Sequence, residues 1–535
     1  MSRVIVIGGG IAGLATSALL ARDGQEVTVL ERGDHLGGRA GSIEEQGFRF
    51  DTGPSWFLMR EVYDHFFALL GTNTDAQLDL RLLDPGYRVF SEPDDVSGLR
   101  SVTVPHGVEA VAELFESIEP GAGSAVRKYL RSAGMTADVA RLRFLYNPFT
   151  RLTSMLGLDV LRSVPELTRL LLRPLAGFVE RRFREPILRR ILTYPAVFLG
   201  TDPNRAPAIY HLLSAFDLDQ GVFYPMGGFR ALVERMEALA REVGVTVITS
   251  AEVTEVMTRE TNGRAAVGSG RSGVGGGRAA VSGVRWTDAE GRSHIEPADL
   301  VVSAADLHHT ETELLPSRLR TYPESAWSKV ESGPGAIIAM LGVDGDLPEL
   351  GHHSLFFTDE WEENLQAIFG TDQRIPDPAS FYVCRPSATD PAVAPDGCEN
   401  LFVLIPVPAD VEIGSGGADG DGSPSVEAAV DAAIERIGLW AGVGDLRSRI
   451  RVRRTVGPAD FARDFHSWKG GMLGPAHTLR QSAFLRMQNQ SRRVDGLYYA
   501  GATTAPGIGV PMCLISAEVV AKRIRGDHSA GPMPL

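Results

Sequence analysis

A chain of 535 residues, 44% of them hydrophobic, can bury a large core and is expected to fold into two or three interlocked subdomains. Its formal net charge of −14 argues against nonspecific nucleic-acid binding, and no nucleic-acid partner is expected. Cys384, Cys398 and Cys513 have no metal or redox spacing, so neither a disulfide framework nor a metal centre is predicted, and no apolar run is long enough to span a bilayer.

The chain opens with Val4-Ile5-Val6-Ile7, an apolar β-branched run that reads as a buried parallel strand. Gly8-Gly9-Gly10-Ile11-Ala12-Gly13 follows, then a helical pattern with Leu14, Ala18 and Leu19 on one side, then a second strand, Val27–Leu30, ending at Glu31 and Arg32. In this arrangement Gly8 permits a tight turn, Gly10 lets backbone approach a pyrophosphate, and Gly13 lets helix pack on strand. Ile11 and Ala12 open the helix, whose free N–H groups and positive dipole end suit phosphates. Glu31 stands where a carboxylate accepts hydrogen bonds from ribose hydroxyls. Strands, helix and acid together point to an ADP-containing cofactor rather than to an unrelated glycine turn. The strand starts so early that no signal peptide fits before it, and a cytoplasmic protein, soluble or peripherally bound to membrane, is expected. Gly37-Gly38-Arg39 adds a second glycine turn ending in a cation, a fork of donors for a pyrophosphate or a flavin edge. It resembles the glycine doublet followed by arginine in the flavoprotein group that holds amine oxidases and carotenoid desaturases. That resemblance moves the expected cofactor from NAD to FAD.

Further along, the alternation in Gly47–Asp51 suggests a strand running into the turn Thr52-Gly53-Pro54-Ser55. An amphipathic helix is expected over Glu61–Leu70, and short strands near Tyr87–Phe90 and Ser101–Val104. From residue 108 to 200 helical patterns dominate. Between Arg141 and Arg190 the chain is rich in Leu and Arg with few acids, which suits either an interfacial helix on anionic lipid or a core helix pair with solvated arginine faces. Pro148, Pro165, Pro174 and Pro186 cut it into pieces too short to span a membrane. Next come Gly221–Phe229, a helix over Arg230–Val243, and strands at Val245–Thr249 and Val253–Val256. Residues 261–283 read as a solvent loop within a hairpin, and Asp299–Asp306 as a buried strand returning to the cofactor sheet. Strands Ala336–Leu341, Ser354–Phe357, Phe381–Cys384 and Leu401–Ile405 suggest an antiparallel sheet. Ser415–Ser425 reads as a flexible loop and Val426–Trp440 as a helix. In Asp495–Pro511 a strand delivers Ala500-Gly501-Ala502, and Gly509-Val510-Pro511 leads into a helix near Met512 whose N-terminus faces whatever binds there. The tail from Gly526 is expected to fray.

The two ends, Gly8–Ala40 and Asp495–Ala517, together with Phe198-Leu199-Gly200, Gly221–Gly228 and Val301–Asp306 in order, resemble the carotenoid desaturase family in its bacterial phytoene desaturase form. The C-terminal stretch departs from the family pattern at Thr503. The resemblance implies an α/β fold: a Rossmann-type FAD-binding domain (1–107, 216–310 and 481–535), an antiparallel-sheet, mixed α/β substrate domain (311–480), and a helical, membrane-facing subdomain (108–215). It implies non-covalent FAD held around Gly8, Gly10, Ile11, Ala12, Gly13, Glu31, Arg32, Gly38, Arg39, Gly53, Pro54, Ser55, Val253, Gly501, Ala502, Gly509, Val510 and Pro511. It also implies a polyene drawn from a membrane surface, with quinone or oxygen as electron acceptor, and conversion of phytoene toward lycopene or neurosporene. Alternatives on the same scaffold are a carotenoid isomerase, a ketolase or a later-step desaturase; a flavin amine oxidase or a non-catalytic flavin-binding lipid carrier is weaker. Asp159-Val160-Leu161-Arg162 matches a family D-x-x-R piece and sets an acid and a guanidinium on one helix face, for proton transfer or as an ordinary salt bridge. Tyr224 suits a channel wall or a packed core. His308-His309 and His352-His353, read as adjacent residues on strands, point to opposite faces and are expected at loops or surface rather than around a metal.

Overall fold

The computed structural model describes residues 1–94, 98–151, 168–261 and 279–535. The run Arg3–Ile7 forms the middle strand of a five-stranded parallel sheet ordered Leu497–Tyr499, Leu300–Ser303, Arg3–Ile7, Glu26–Leu30 and Thr246–Ile248. Val4–Ile7 are apolar and buried at every position because helices cover one face of the sheet and a second layer the other. Helices Ile11–Arg22, Gly228–Glu242 and Val510–Arg525 share one core with it. The opposite face packs on an antiparallel layer built from Glu252–Glu260, Ala279–Thr287 and Ser293–Pro297.

The second sheet has seven strands: Ile450–Val456, Gly335–Asp344, Cys398–Val407, Phe381–Cys384, His353–Phe357, Tyr87–Asp94 and Gly98–Val104. Its neighbours run antiparallel except His353–Phe357 beside Tyr87–Asp94. On its long strand Ile337, Ala339, Leu341 and Val343 face a core shared with helix Pro424–Ala441, while Ala336, Ile338 and Met340 face the helical region. That alternation buries both faces. Helices Val108–Ile118, Ala122–Ala140, Leu175–Glu180 and Pro186–Thr193 make up that region. Among the described residues no helix is long and apolar enough to cross a membrane.

Several expectations change. The Tyr87–Val104 hairpin, placed with the first cofactor segment, pairs instead into the seven-stranded sheet, a partnership made by residues more than 250 positions away. Ser415–Ser425 is not a free loop: Gly417 N–H donates to Thr455 Oγ1 at 2.8 Å, and a Cβ on Gly416 would lie 1.9 Å from the Thr455 carbonyl oxygen. The tail beyond Gly526 does not fray. Lys522 Nζ donates to the carbonyls of Ser529 (2.6 Å) and Gly531 (2.7 Å), and Met533 is buried. Most of the 261–283 loop lies outside the described residues; its end, from Ala279, is strand.

Candidate active site

The phosphate loop is shaped by close approach. Gly8 has φ +96°, and a Cβ on Gly13 would lie 1.9 Å from the Gly8 carbonyl oxygen, so no other residue fits there. Helix Ile11–Arg22 has Gly10 at its N-cap and no side-chain cap, which leaves its first N–H groups free for an anion. Glu31 accepts N–H bonds from Gly9 at 2.6 Å and Gly33 at 2.7 Å, one on each oxygen. A carboxylate has about four lone-pair sites, so capacity for ribose hydroxyls remains.

The second glycine turn lies against the first. Gly37 N–H donates to the Gly9 carbonyl at 3.0 Å, and Gly37 and Gly38 have φ +108° and +55°. Arg39 is thereby turned inward. Its Nη2 donates to Ser467 Oγ at 2.8 Å, and its buried Nε has no partner among the described residues. Burial lowers its pKa, and the nearby Asp306 carboxylate opposes the shift. A cation with an unmet donor at a capless helix start fits a pyrophosphate. Gly53 is fixed in the same way, since a Cβ there would meet the Arg39 carbonyl oxygen at 2.1 Å. Arg32 points elsewhere: it donates to the carbonyls of Arg463 (3.0 Å) and Asp464 and contacts His466 Nε2 at 3.1 Å, bracing the far rim.

At the other end of the chain, Gly501 (φ +112°) donates its N–H to Ser516 Oγ at 3.0 Å, and Gly509 (φ +116°) leads into helix Val510–Arg525. Both ends open on one cavity of about 1640 Å³. Gly8, Gly10, Ile11, Ala12, Glu31, Arg32, Gly38, Arg39, Gly53, Pro54, Ser55, Val253, Gly501, Ala502, Gly509, Val510 and Pro511 all line it; Gly13 alone lies behind the wall, as a packing residue. Val253 enters from the strand that follows the sheet's edge.

Away from the glycine turns the cavity is apolar, lined by Phe144, Leu213, Phe216, Ile338, Phe357 and Leu404 among others. Trp56, one residue past the Gly53-Pro54-Ser55 turn, lies at the junction. Its ring stacks on His353 at 4.6 Å and stands 5.8–6.2 Å from those of Phe198, Tyr382 and Tyr194. Asp217 lies on the same cavity, buried, with a pKa that burial pushes up to about 7. His477 also lines it, packed so closely that a Cβ on Gly507 would lie 2.1 Å from Nε2. Burial pulls the His477 imidazole down to about 3. The sequence reading passed over Trp56, Asp217 and His477; an acid set among apolar residues, Phe216-Asp217-Leu218, was the one local sign.

Asp159 and Arg162 lie outside the described residues. Tyr224 is buried beside His352, with ring centroids 4.7 Å apart, and does not line the large cavity. The histidine pairs are not on surface strands with opposed side chains. His308 and His309 start helix Leu307–Thr312, capped by Asp306, and His309 stacks on His466 at 3.8 Å. His352 precedes the strand that begins at His353, so strand alternation does not separate them. Both are buried, with rings 4.6 Å apart and ligand atoms within 4.8 Å of one another and of Cys384. Their Nδ1 atoms bond to Thr389 and Tyr382 at 2.7 Å each.

The sequence profile described as flavin containing amine oxidoreductase matches residues 11–525. A carotenoid 3,4-desaturase of Haloarcula japonica is 38% identical, with 98% of each chain aligned. A 4,4'-diapophytoene desaturase (4,4'-diaponeurosporene-forming) of Staphylococcus aureus is 27% identical over 99% of this chain and all of its own. Among solved structures, an oxidoreductase from Methanosarcina mazei superimposes with a TM-score of 0.57 at 17% identity, covering 97% of this chain and all of that one, which establishes the likeness of fold.

Proposed function

The chain belongs to the flavin-containing amine oxidoreductase family, among its carotenoid desaturases, and from that premise we propose that it removes hydrogen pairs from a linear polyene to extend the polyene's conjugation. The observation that carries the reading is the single cavity that joins a nucleotide-shaped cleft to an aliphatic and aromatic channel. FAD, when bound, supplies the acceptor for a hydride. The protein's own work is to hold the chain along the channel, keep water away and receive a proton.

Two substrates compete. Phytoene, desaturated toward lycopene or neurosporene, is the reading the sequence motifs suggest. A later desaturation, on an already conjugated carotenoid, is favoured by the higher identity to the relative named a 3,4-desaturase, 38% against 27%. Expression in cells that accumulate phytoene, and separately lycopene, followed by pigment identification, decides between them. A flavin-loaded protein that changes neither pigment overturns both.

Membrane contact belongs to the same proposal. Leu171, Leu172, Leu479, Phe484 and Leu485 are exposed by 37–71%, and all but Leu172 also line the cavity. Arg169 and Arg181 both stand close enough to Arg173 to repel it. An apolar lip beside clustered cations suits the anionic cytoplasmic face of a cell membrane. Seated there, the enzyme reaches both its substrate and a quinone; anaerobic turnover with quinone, compared with turnover in oxygen, identifies the electron acceptor.

A further inference from the structure

The apolar part of the cavity carries a carboxyl group for which the binding of FAD and polyene gives no use. Asp217 is 4% exposed and lines the wall with Leu213, Phe216 and Phe357. It sits in a single π-helical turn, Ala215–Asp219, closed by the Gln220 N–H on the Ala215 carbonyl at 3.0 Å. Such turns recur at functional sites because they redirect one side chain out of a helical path. One Asp217 oxygen accepts the Tyr194 hydroxyl at 3.2 Å; the other, Oδ1, is buried with no partner among the described residues. A buried acceptor left unmet carries a desolvation cost that an apolar residue would avoid. Tyr194 also lines the cavity, packing edge-on to Phe198 at 5.5 Å and standing beside Trp56. The carboxyl therefore stands next to the aromatic wall that starts at the Gly53-Pro54-Ser55 turn, where the ring system of a flavin is expected.

We propose that Asp217 is the base that takes the proton released at each desaturation, with the Tyr194 hydroxyl holding it in place. The inference rests on the desaturase reading. In the step, a C–H bond of the polyene breaks and its hydrogen leaves with both electrons to the oxidised flavin, which is reduced by two electrons. The positive charge left on carbon is allylic. As that charge develops the neighbouring C–H bond breaks, its electron pair becomes the new C=C bond, and its proton goes to the Asp217 carboxylate, so loss of the hydride depends on the base. Burial, opposed by the Tyr194 hydrogen bond, raises the Asp217 pKa to about 7, a value at which a group both accepts and returns a proton near neutral pH. The titratable groups facing it are the hydroxyls of Tyr87, Tyr129 and Tyr194, all pushed up by burial and neutral at that pH.

The test uses flavin-loaded wild type, D217N, D217E and Y194F, mixed anaerobically with detergent-dispersed phytoene or lycopene, whichever the wild type desaturates. Flavin bleaching is followed between about pH 6 and 8. Wild type is expected to bleach faster as pH rises through about 7. D217N is expected to lose roughly 10²-fold or more of that rate and the pH dependence with it, at unchanged flavin content. D217E is expected to recover part of the rate. In Y194F the carboxylate loses a donor, so the midpoint moves to higher pH. D217N within about threefold of wild type and with the same profile overturns the proposal. Should D217N fail to hold flavin, Y194F decides, and an unmoved midpoint overturns it. Wild type that bleaches with neither polyene removes the desaturase reading itself, which separates that failure from this one.

Discussion

Gly13, Glu31 and Asp51 each turn a local geometry into a measurable outcome. A methyl group on Gly13 collides with the Gly8 carbonyl, so Gly13→Ala is expected to cost about 1–3 kcal/mol of stability and to lower the ratio of flavin to protein absorbance after purification. Glu31→Ala leaves the Gly9 and Gly33 N–H groups without their acceptor, a loss of about 1–3 kcal/mol for the buried Gly9 donor and less for half-buried Gly33, and is expected to weaken FAD retention in a dialysis series. Asp51 accepts the Phe229 N–H, but its other oxygen is buried and unpartnered, and burial raises its pKa from 3.8 to about 7. Between those values the unfolded chain releases a proton that the folded one keeps. The stability this group provides is therefore full below about pH 4 and is lost as pH rises through about 7. Asp51→Asn is expected to flatten that part of the stability curve in denaturant titrations from pH 4 to 8.

Strand, helix and loop differ in how much of their fate is local. The first strand–helix–strand unit was legible because β-branched runs and sterically required glycines decide it within forty residues. The edge hairpin Tyr87–Val104 was not, because its partner strand is chosen by long-range packing. Nor were His352 and His353, whose burial follows from where a strand happens to begin. For the site, the glycine turns could be read from sequence, whereas Asp217 could not: its role depends on Tyr194 and Trp56 arriving from other elements. The apolar lip is an element-scale feature with its own test. Replacing Leu172 and Phe484 by Asp is expected to abolish co-sedimentation with anionic liposomes while leaving bound flavin unchanged, and retained co-sedimentation would assign the contact elsewhere.

Across the whole molecule, the last residues are braced against the C-terminal helix Val510–Arg525. Lys522 Nζ donates to the carbonyls of Tyr146, Ser529 and Gly531, and burial lowers its pKa. Ending the chain at Gly526 removes two of those three acceptors and uncovers Glu518, which holds the Met533 N–H. A loss of at least about 2 kcal/mol is expected, seen as a lower melting temperature in differential scanning fluorimetry.

The strand Leu497–Tyr499 closes the edge of the parallel sheet next to Leu300–Ser303, and the turn that follows it supplies one side of the cleft. A polypeptide still being translated has its glycine loop early but lacks this border until the strand Leu497–Tyr499 has been made. Prosthetic-group capture is accordingly deferred until that strand is in place, and products terminated before it emerge colourless.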